Sequence, residues 1–419
     1  MRSTVPPLRP GGGVEPDGDM HGDGDGESEA SVPSFFWWRS LPENEGGGGF
    51  GMPKAAVAAT KAGKARMKVV REMERLAAAA ADSIDELRHR LLTYRAGDLW
   101  FPAGGAGRQD TDIPPVITLL LLGFAGVGKS SLVNLMYSVL GRSGFVPFAH
   151  TSSSTGEDGG TLSLEEHNVL RSMKSGFCVF DSPGLNYSRI SDGLDEVSQW
   201  LEDGVRHRQL CLTSSSSSAG SFPSTSTSSS SAAAGNRFAR RRVNCAVVVA
   251  SLSELHQSIA SGHLQCLDAT RQLFHHPSIR DTCIEQFDLI TISSESDDGP
   301  ILVLTHGDEL TAEERIDTRI AVCDYLGVAE TAGVYDVSCS SEQGLHGDEF
   351  DGVTAYAVSE AVYRALVVAD RCHPPKPGLK DWLLVALSSV MCALSAFFAF
   401  LSCCCTKVSK MNRNYQKIR

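Results

Sequence analysis

The chain has 419 residues, with 38 Lys and Arg against 50 Asp and Glu, a formal net charge of −12. That balance excludes a global electrostatic grip on nucleic acid, so no nucleic-acid partner is expected. Hydrophobic residues make up 42%, enough for a core of ordinary size, while 40 glycines and several serine runs mark stretches that do not pack.

Residues 1–52 are rich in Gly, Pro, Asp and Glu and read as a disordered acidic arm. No apolar leader core is visible after Met1 and no zinc-type Cys/His spacing occurs, so most of the 12 cysteines are expected as reduced cytosolic thiols, several of them buried. An N-terminal helix is expected over 53–96. There Val69, Met73, Leu76, Ala80, Ile84, Leu87 and Leu91 recur at spacings of three and four and draw one apolar stripe. The stripe faces either the main domain or a partner helix.

From 110 to 372 the pattern predicts one α/β domain with a doubly wound, mostly parallel sheet. VITLLLLG (116–123) is a continuous apolar run, as in a strand buried on both faces. Further strands are expected at 176–181, 244–252, 300–305 and 333–338, with helical stretches at 131–140, 194–205 and 311–327 between them. A Ser-rich flexible insertion, 213–242, ends in Arg237, Arg240, Arg241 and Arg242. That basic run reads as a solvated edge; the other reading is a site for an acidic partner or a phosphate-bearing lipid. A Pro-rich hinge (373–381) leads into 382–405, a stretch without one charge, followed by a basic tail, 406–419. About 20 helical residues span a bilayer core, so 382–405 predicts a transmembrane helix. The protein is then tail-anchored, with the bulk of the chain cytosolic.

Gly123-Phe-Ala-Gly-Val-Gly-Lys129-Ser130 matches G-x-x-x-x-G-K-[ST], directly after an apolar strand and before a helix. In such a P-loop the glycines let backbone N–H groups converge on phosphate, and the helix N-terminus adds a positive field. Gly123, Gly126, Val127, Gly128, Lys129, Ser130 and Ser131 are therefore the expected phosphate cradle. Lys129 faces the β- and γ-phosphates and Ser130 ligates Mg²⁺. Asp181-Ser-Pro-Gly184 closes the second strand; Asp181 suits Mg²⁺, and Gly184 suits the γ-phosphate.

The last motifs bear on the base. Thr305-His306-Gly307-Asp308 resembles the [NT]-K-x-D guanine motif, with His306 in place of Lys. Asp308 would accept from guanine N1 and N2, which adenine cannot supply. Ser338-Cys339-Ser340 resembles the S-[AC]-K loop that contacts guanine O6, with Ser340 in place of Lys. Between 148 and 167 a threonine should cover Mg²⁺ and the γ-phosphate: Thr155 is the first choice, Thr161 the second.

Together these motifs resemble a septin-like or Toc-like branch of the GTPase superclass. More narrowly, DIPPVITLLLLGFAGVGKSSLVN (112–134), WLEDGVRHRQL (200–210) and LTHGDEL (304–310) resemble a plant family of P-loop nucleoside triphosphate hydrolases. The resemblance covers roughly 90–372. It implies GTP or GDP with Mg²⁺ as ligands, with Lys129 and Thr155 in catalytic roles. Leu185 stands where Ras-like proteins carry a water-orienting Gln. That implies slow hydrolysis alone, or help from a homodimer or an activating partner, with Arg189 and Arg206 as candidates to act in trans. Three functions stay open: a membrane-tethered slow GTPase, a non-hydrolysing nucleotide-binding scaffold, and a P-loop ATPase. By analogy, the membrane is the outer membrane of a mitochondrion, plastid or peroxisome.

Overall fold

The structure, a computed structural model, describes residues 34–41, 54–101, 108–141, 148–151, 161–170, 176–211, 239–282, 299–338, 351–371, 373, 376, 383 and 387–399. Seven strands form one sheet: β1 (Ile117–Leu122), β2 (Ser163–His167), β3 (Phe177–Asp181), β4 (Gln209–Leu210), β5 (Cys245–Ser251), β6 (Ile301–Thr305) and β7 (Val334–Asp336), in the order β4-β2-β3-β1-β5-β6-β7. β1, β3, β5, β6 and β7 are parallel, while β2 runs antiparallel to both β3 and β4. Every residue of β1, β3, β5 and β6 is buried, which explains their unbroken apolar runs.

The five parallel strands match those expected from the sequence; β2 and β4 do not appear among them. In the sequence Ser-Leu-Glu-Glu-His, next to the edge of the sheet, only Leu164 and His167 are buried, and its two glutamates hide it from a search for apolar runs. β4 has two residues, too few for any periodicity.

The helices are α1 (Lys54–Thr93), α2 (Lys129–Gly141), α3 (Ile190–Asp203), α4 (Leu252–Ser261), α5 (Gln265–Phe274), α6 (Pro277–Asp281), α7 (Ala312–Leu326) and α8 (Gly352–Arg371). β1 connects through α2 toward β3 on one side, and β3 connects through α3 to β5 on the other. Right-handed crossovers in opposite directions put α2 and α3 on opposite faces, so the order reverses at β1, where an α/β sheet opens a crevice. The turn after β1 is the glycine-rich motif.

The stripe of α1 faces the domain. Val69, Met73, Leu76, Leu87 and Leu91 are buried, and the helix lies along α8 and touches α7. Arg66–Asp317 and Arg75–Glu360 ion pairs, at 2.7 and 2.9 Å, lace its polar flanks to those helices.

One expectation needs correction, and a second falls only partly on described residues. The arm 1–52 is not without structure throughout: Ser34–Ser40 form a 3₁₀ segment and Trp38 is 2% exposed. Phe36, Trp37 and Trp38 supply apolar area that the surrounding glycine and acid composition masks. Second, among the described residues no helix is long and apolar enough to cross a membrane. Within the expected span 382–405, Leu383 and 387–399 are described. They are helical and exposed, including Leu387, Met391, Leu394, Phe397 and Phe398; the rest of that span and the tail 406–419 lie outside the described residues. Of the hinge 373–381, His373 is buried and Lys376 donates to Gln109 O at 2.7 Å. Of the insertion 213–242, only 239–242 are described. There Arg241 pairs with Glu166 of β2 at 2.8 Å, so it belongs to the sheet edge.

Candidate functional site

β1 ends at Leu122, and the chain turns through Gly123–Gly128 into α2, which starts at Lys129. Gly126 and Gly128 have φ of +82° and +83°, a region closed to most side chains. This curl aims the first turn of α2 at the crevice, the arrangement that binds phosphate. Ala125 and Gly126 are exposed and Val127 is buried; Ser131 is half-buried on the first turn. Lys129 is 6% exposed and folds back over the loop, its Nζ donating to Gly123 O at 3.1 Å and Phe124 O at 2.9 Å. Burial pushes its ammonium down to about 8, opposed by the charges of Asp181 and Glu254.

Three oxygens converge beside it. Ser130 Oγ donates to Asp181 Oδ2 at 2.5 Å, Thr161 Oγ1 lies 3.1 Å from Ser130 Oγ, and Thr161 Oγ1 donates to Asp181 Oδ2 at 3.5 Å. β1, β2 and β3 bring them together: Ser130 follows the turn after β1, Thr161 precedes β2, and Asp181 ends β3. Burial raises the Asp181 carboxyl, opposed first by the Ser130 hydroxyl and then by Lys129. Asp181 Oδ1 is buried without a hydrogen-bond partner among the described residues. An orphan carboxylate oxygen in such a place costs about 1–3 kcal/mol. Two hydroxyls and one carboxylate are a hard-oxygen set that fits Mg²⁺, whose remaining positions water and phosphate oxygens fill. No cluster of three His, Cys, Asp or Glu suited to a metal occurs among the described residues, which leaves this mixed set as the candidate.

Gly184 presses on the loop: a Cβ there would lie 2.4 Å from Ala125 Cα, so only glycine fits. The chain after it is bonded to the same loop, Leu185 N to Gly123 O at 3.1 Å and Ala125 N to Leu185 O at 2.9 Å. Tyr187 stacks on Phe124 with ring centroids 4.0 Å apart and donates to Glu254 Oε2 at 2.7 Å. Leu185 is 1% exposed. Arg189, just ahead of α3, pairs with Asp192 of its first turn at 2.7 Å on the surface.

At the other end Thr305 is fully buried, its Oγ1 donating to Val127 O at 2.7 Å and Ala250 O at 3.2 Å, which ties the end of β6 to the glycine loop. His306 has φ of +54°, and its Cε1 would stand 3.2 Å from a Cβ on Gly128, so the imidazole lies against the loop. Asp308 is exposed, in the one-turn 3₁₀ segment Gly307–Glu309 ahead of the Thr311/Glu314 capping box. Ser338, just past β7, accepts from Arg315 Nη2 at 3.3 Å.

The structure thus brings together Gly123, Gly126, Val127, Gly128, Lys129, Ser130, Ser131, Thr161, Asp181, Gly184, Thr305 and His306. Thr155 and Cys339 lie outside the described residues; the threonine at the Ser130–Asp181 pair is Thr161, the second choice from the sequence. Glu254, Tyr187 and Arg315 belong to no motif, and no spacing in the sequence marks them. No protein-family model matches the chain, and no curated protein sequence matches it.

Proposed function

We propose that this chain is a membrane-tethered guanine-nucleotide-binding protein and a slow, Mg²⁺-dependent GTPase that works as a switch or assembly unit. The observation that carries the reading is the Ser130–Thr161–Asp181 oxygen cluster with its orphan Oδ1, beside Lys129 on a glycine turn at the point where strand order reverses. On this reading the loop amides and Lys129 hold the phosphates, and Ser130, Thr161 and Asp181 would hold Mg²⁺. Bound there, Mg²⁺ neutralises charge between the β- and γ-phosphates. Asp308 selects guanine, and His306 takes the place of the lysine stem beside the base.

The buried Leu185 supports slow turnover, since a leucine cannot orient water. It equally supports a non-hydrolysing scaffold. A P-loop ATPase is the reading that follows if the altered residues His306 and Ser340 leave the base end without guanine selectivity. Binding of labelled GTP and ATP, with and without Mg²⁺, separates these: GTP preferred and Mg²⁺-dependent supports the proposal, and equal or preferred ATP binding overturns it. Phosphate release over hours then separates GTPase from scaffold.

The tether rests on the exposed apolar side chains of 387–399, which nothing among the described residues covers. The full chain is expected to pellet with membranes and resist carbonate extraction, and a truncation at Lys380 is expected to stay in the supernatant. A truncated chain that still pellets overturns the tether.

A further inference from the structure

We infer that Arg315 is a positioning residue for both base-motif loops and that Trp37, from the N-terminal arm, clamps it there; the functional half of this inference rests on the guanine reading above. Arg315 sits in the first turn of α7, outside every motif, with its side chain 5% exposed. Its Nε and Nη2 fork onto Asp336 Oδ2 and Oδ1, at 2.7 Å each, and Nη2 also reaches Ser338 Oγ at 3.3 Å. On the other side lies Gly307, between His306 and Asp308. A Cβ there would meet Arg315 Nε at 2.6 Å and Asp336 Oδ1 at 2.9 Å. One guanidinium therefore touches the loop after β6 and the loop after β7 together.

The Trp37 ring covers the face of that guanidinium, with Cζ 4.1 Å from the ring centroid. Trp37 is itself held by its neighbours. Trp38 is buried, stands edge-on to Trp37 at 5.8 Å, and donates from Nε1 to Glu74 Oε1 at 2.8 Å. Arg39 forks onto the same Glu74 carboxylate at 2.9 and 2.7 Å. The arm thus docks on α1 and reaches past it to the base-motif end of the domain. A guanidinium that is stacked on one face and forked on its edge keeps one orientation. With its stacking partner gone, it can swing, and the Gly307 and Ser338 loops loosen with it. The arm then acts on guanine binding without touching the base, and guanine binding favours a docked arm in return, because coupling between two sites is reciprocal.

The test uses the full chain. Without nucleotide, Trp37→Ala is expected to speed hydrogen exchange at the Glu309, Leu310 and Val337 amides, which bond to His306 O, Gly307 O and Leu304 O. It is expected to weaken labelled GTP about three- to tenfold and to leave ATP affinity unchanged. Trp37→Phe keeps an aromatic face and is expected to restore both readouts. Unchanged exchange and unchanged GTP affinity in Trp37→Ala overturn the clamp, and equal losses for GTP and ATP overturn its link to base selection. A parent chain that binds no guanine nucleotide overturns the functional reading instead, while the exchange measurement still decides the clamp.

Discussion

At the phosphate-loop end, Lys129 and Ser130 open α2, Thr161 precedes β2 and Asp181 ends β3; the four gather at one edge of three adjacent strands, and each is buried or half-buried. At the base-motif end, Asp308 is exposed, and the loops that carry it and Ser338 lean on Arg315 and Asp336, residues that belong to no motif. The first end is built from the residues that would do the chemistry. The second is built from a buried ion pair behind them, and Trp37 backs that pair in turn. A substitution at the first end should therefore read out in every nucleotide, whereas one at the second should read out in stability or in the choice of base.

The largest effect tests the first half of that contrast. Lys129→Ala removes the ammonium folded over the glycine loop and is expected to abolish binding of GTP and ATP alike. Retained binding of either, measured with the labelled nucleotide, would place the phosphates elsewhere. At the other end, Arg315→Met strands the fully buried Asp336 carboxylate. The expected cost is about 3–5 kcal/mol of unfolding free energy, read by denaturant titration. A loss below about 1 kcal/mol would mean that Asp336 is not the buttress its geometry suggests.

A smaller effect separates two threonines. Thr161→Ala removes one of the three oxygens that would hold Mg²⁺ and is expected to weaken Mg²⁺-dependent GTP binding by about tenfold, while Mg²⁺-free binding stays put. The same loss from Thr155→Ala, with Thr161→Ala silent, would return the metal role to the first choice from the sequence. Asp308→Asn sharpens the contrast further: GTP is expected to weaken by about tenfold with ATP unchanged. Equal weakening of both would mean that the residue supports the fold, as Arg315 does.

The smallest effect comes from β2, the strand that follows Thr161. His167 is buried, and desolvation, reinforced by the charge of His207, holds its imidazole down to about 4. The unfolded chain therefore binds the proton more tightly. Stability from the neutral ring is complete above an unfolded value near 6.5 and is lost as pH falls from there toward 4. At pH 6 the loss is roughly 0.8 kcal/mol, and His167→Gln is expected to flatten that part of the pH–stability curve. A variant curve parallel to the parent's would show that another group titrates there.

β1, β3, β5 and β6 are legible from residue order because strands buried on both faces need long apolar runs. The phosphate loop is legible because its requirements are local: glycines at two positive-φ positions, with a lysine and a serine opening a helix. The stripe of α1 is legible as a stripe, but its periodicity is the same whether it meets a domain or a partner helix. Only packing against α7 and α8 resolves that choice. The place of Thr161 is likewise invisible along the chain, since it shares one polar run with Thr155. Pairing β2 against β3 carries Thr161 to Asp181. The Trp37–Arg315–Asp336 stack joins an N-terminal arm, a helix and a strand that share no spacing. Such contacts form when distant segments bury their surfaces together, and a pattern read along one segment carries no trace of the segment that will cover it.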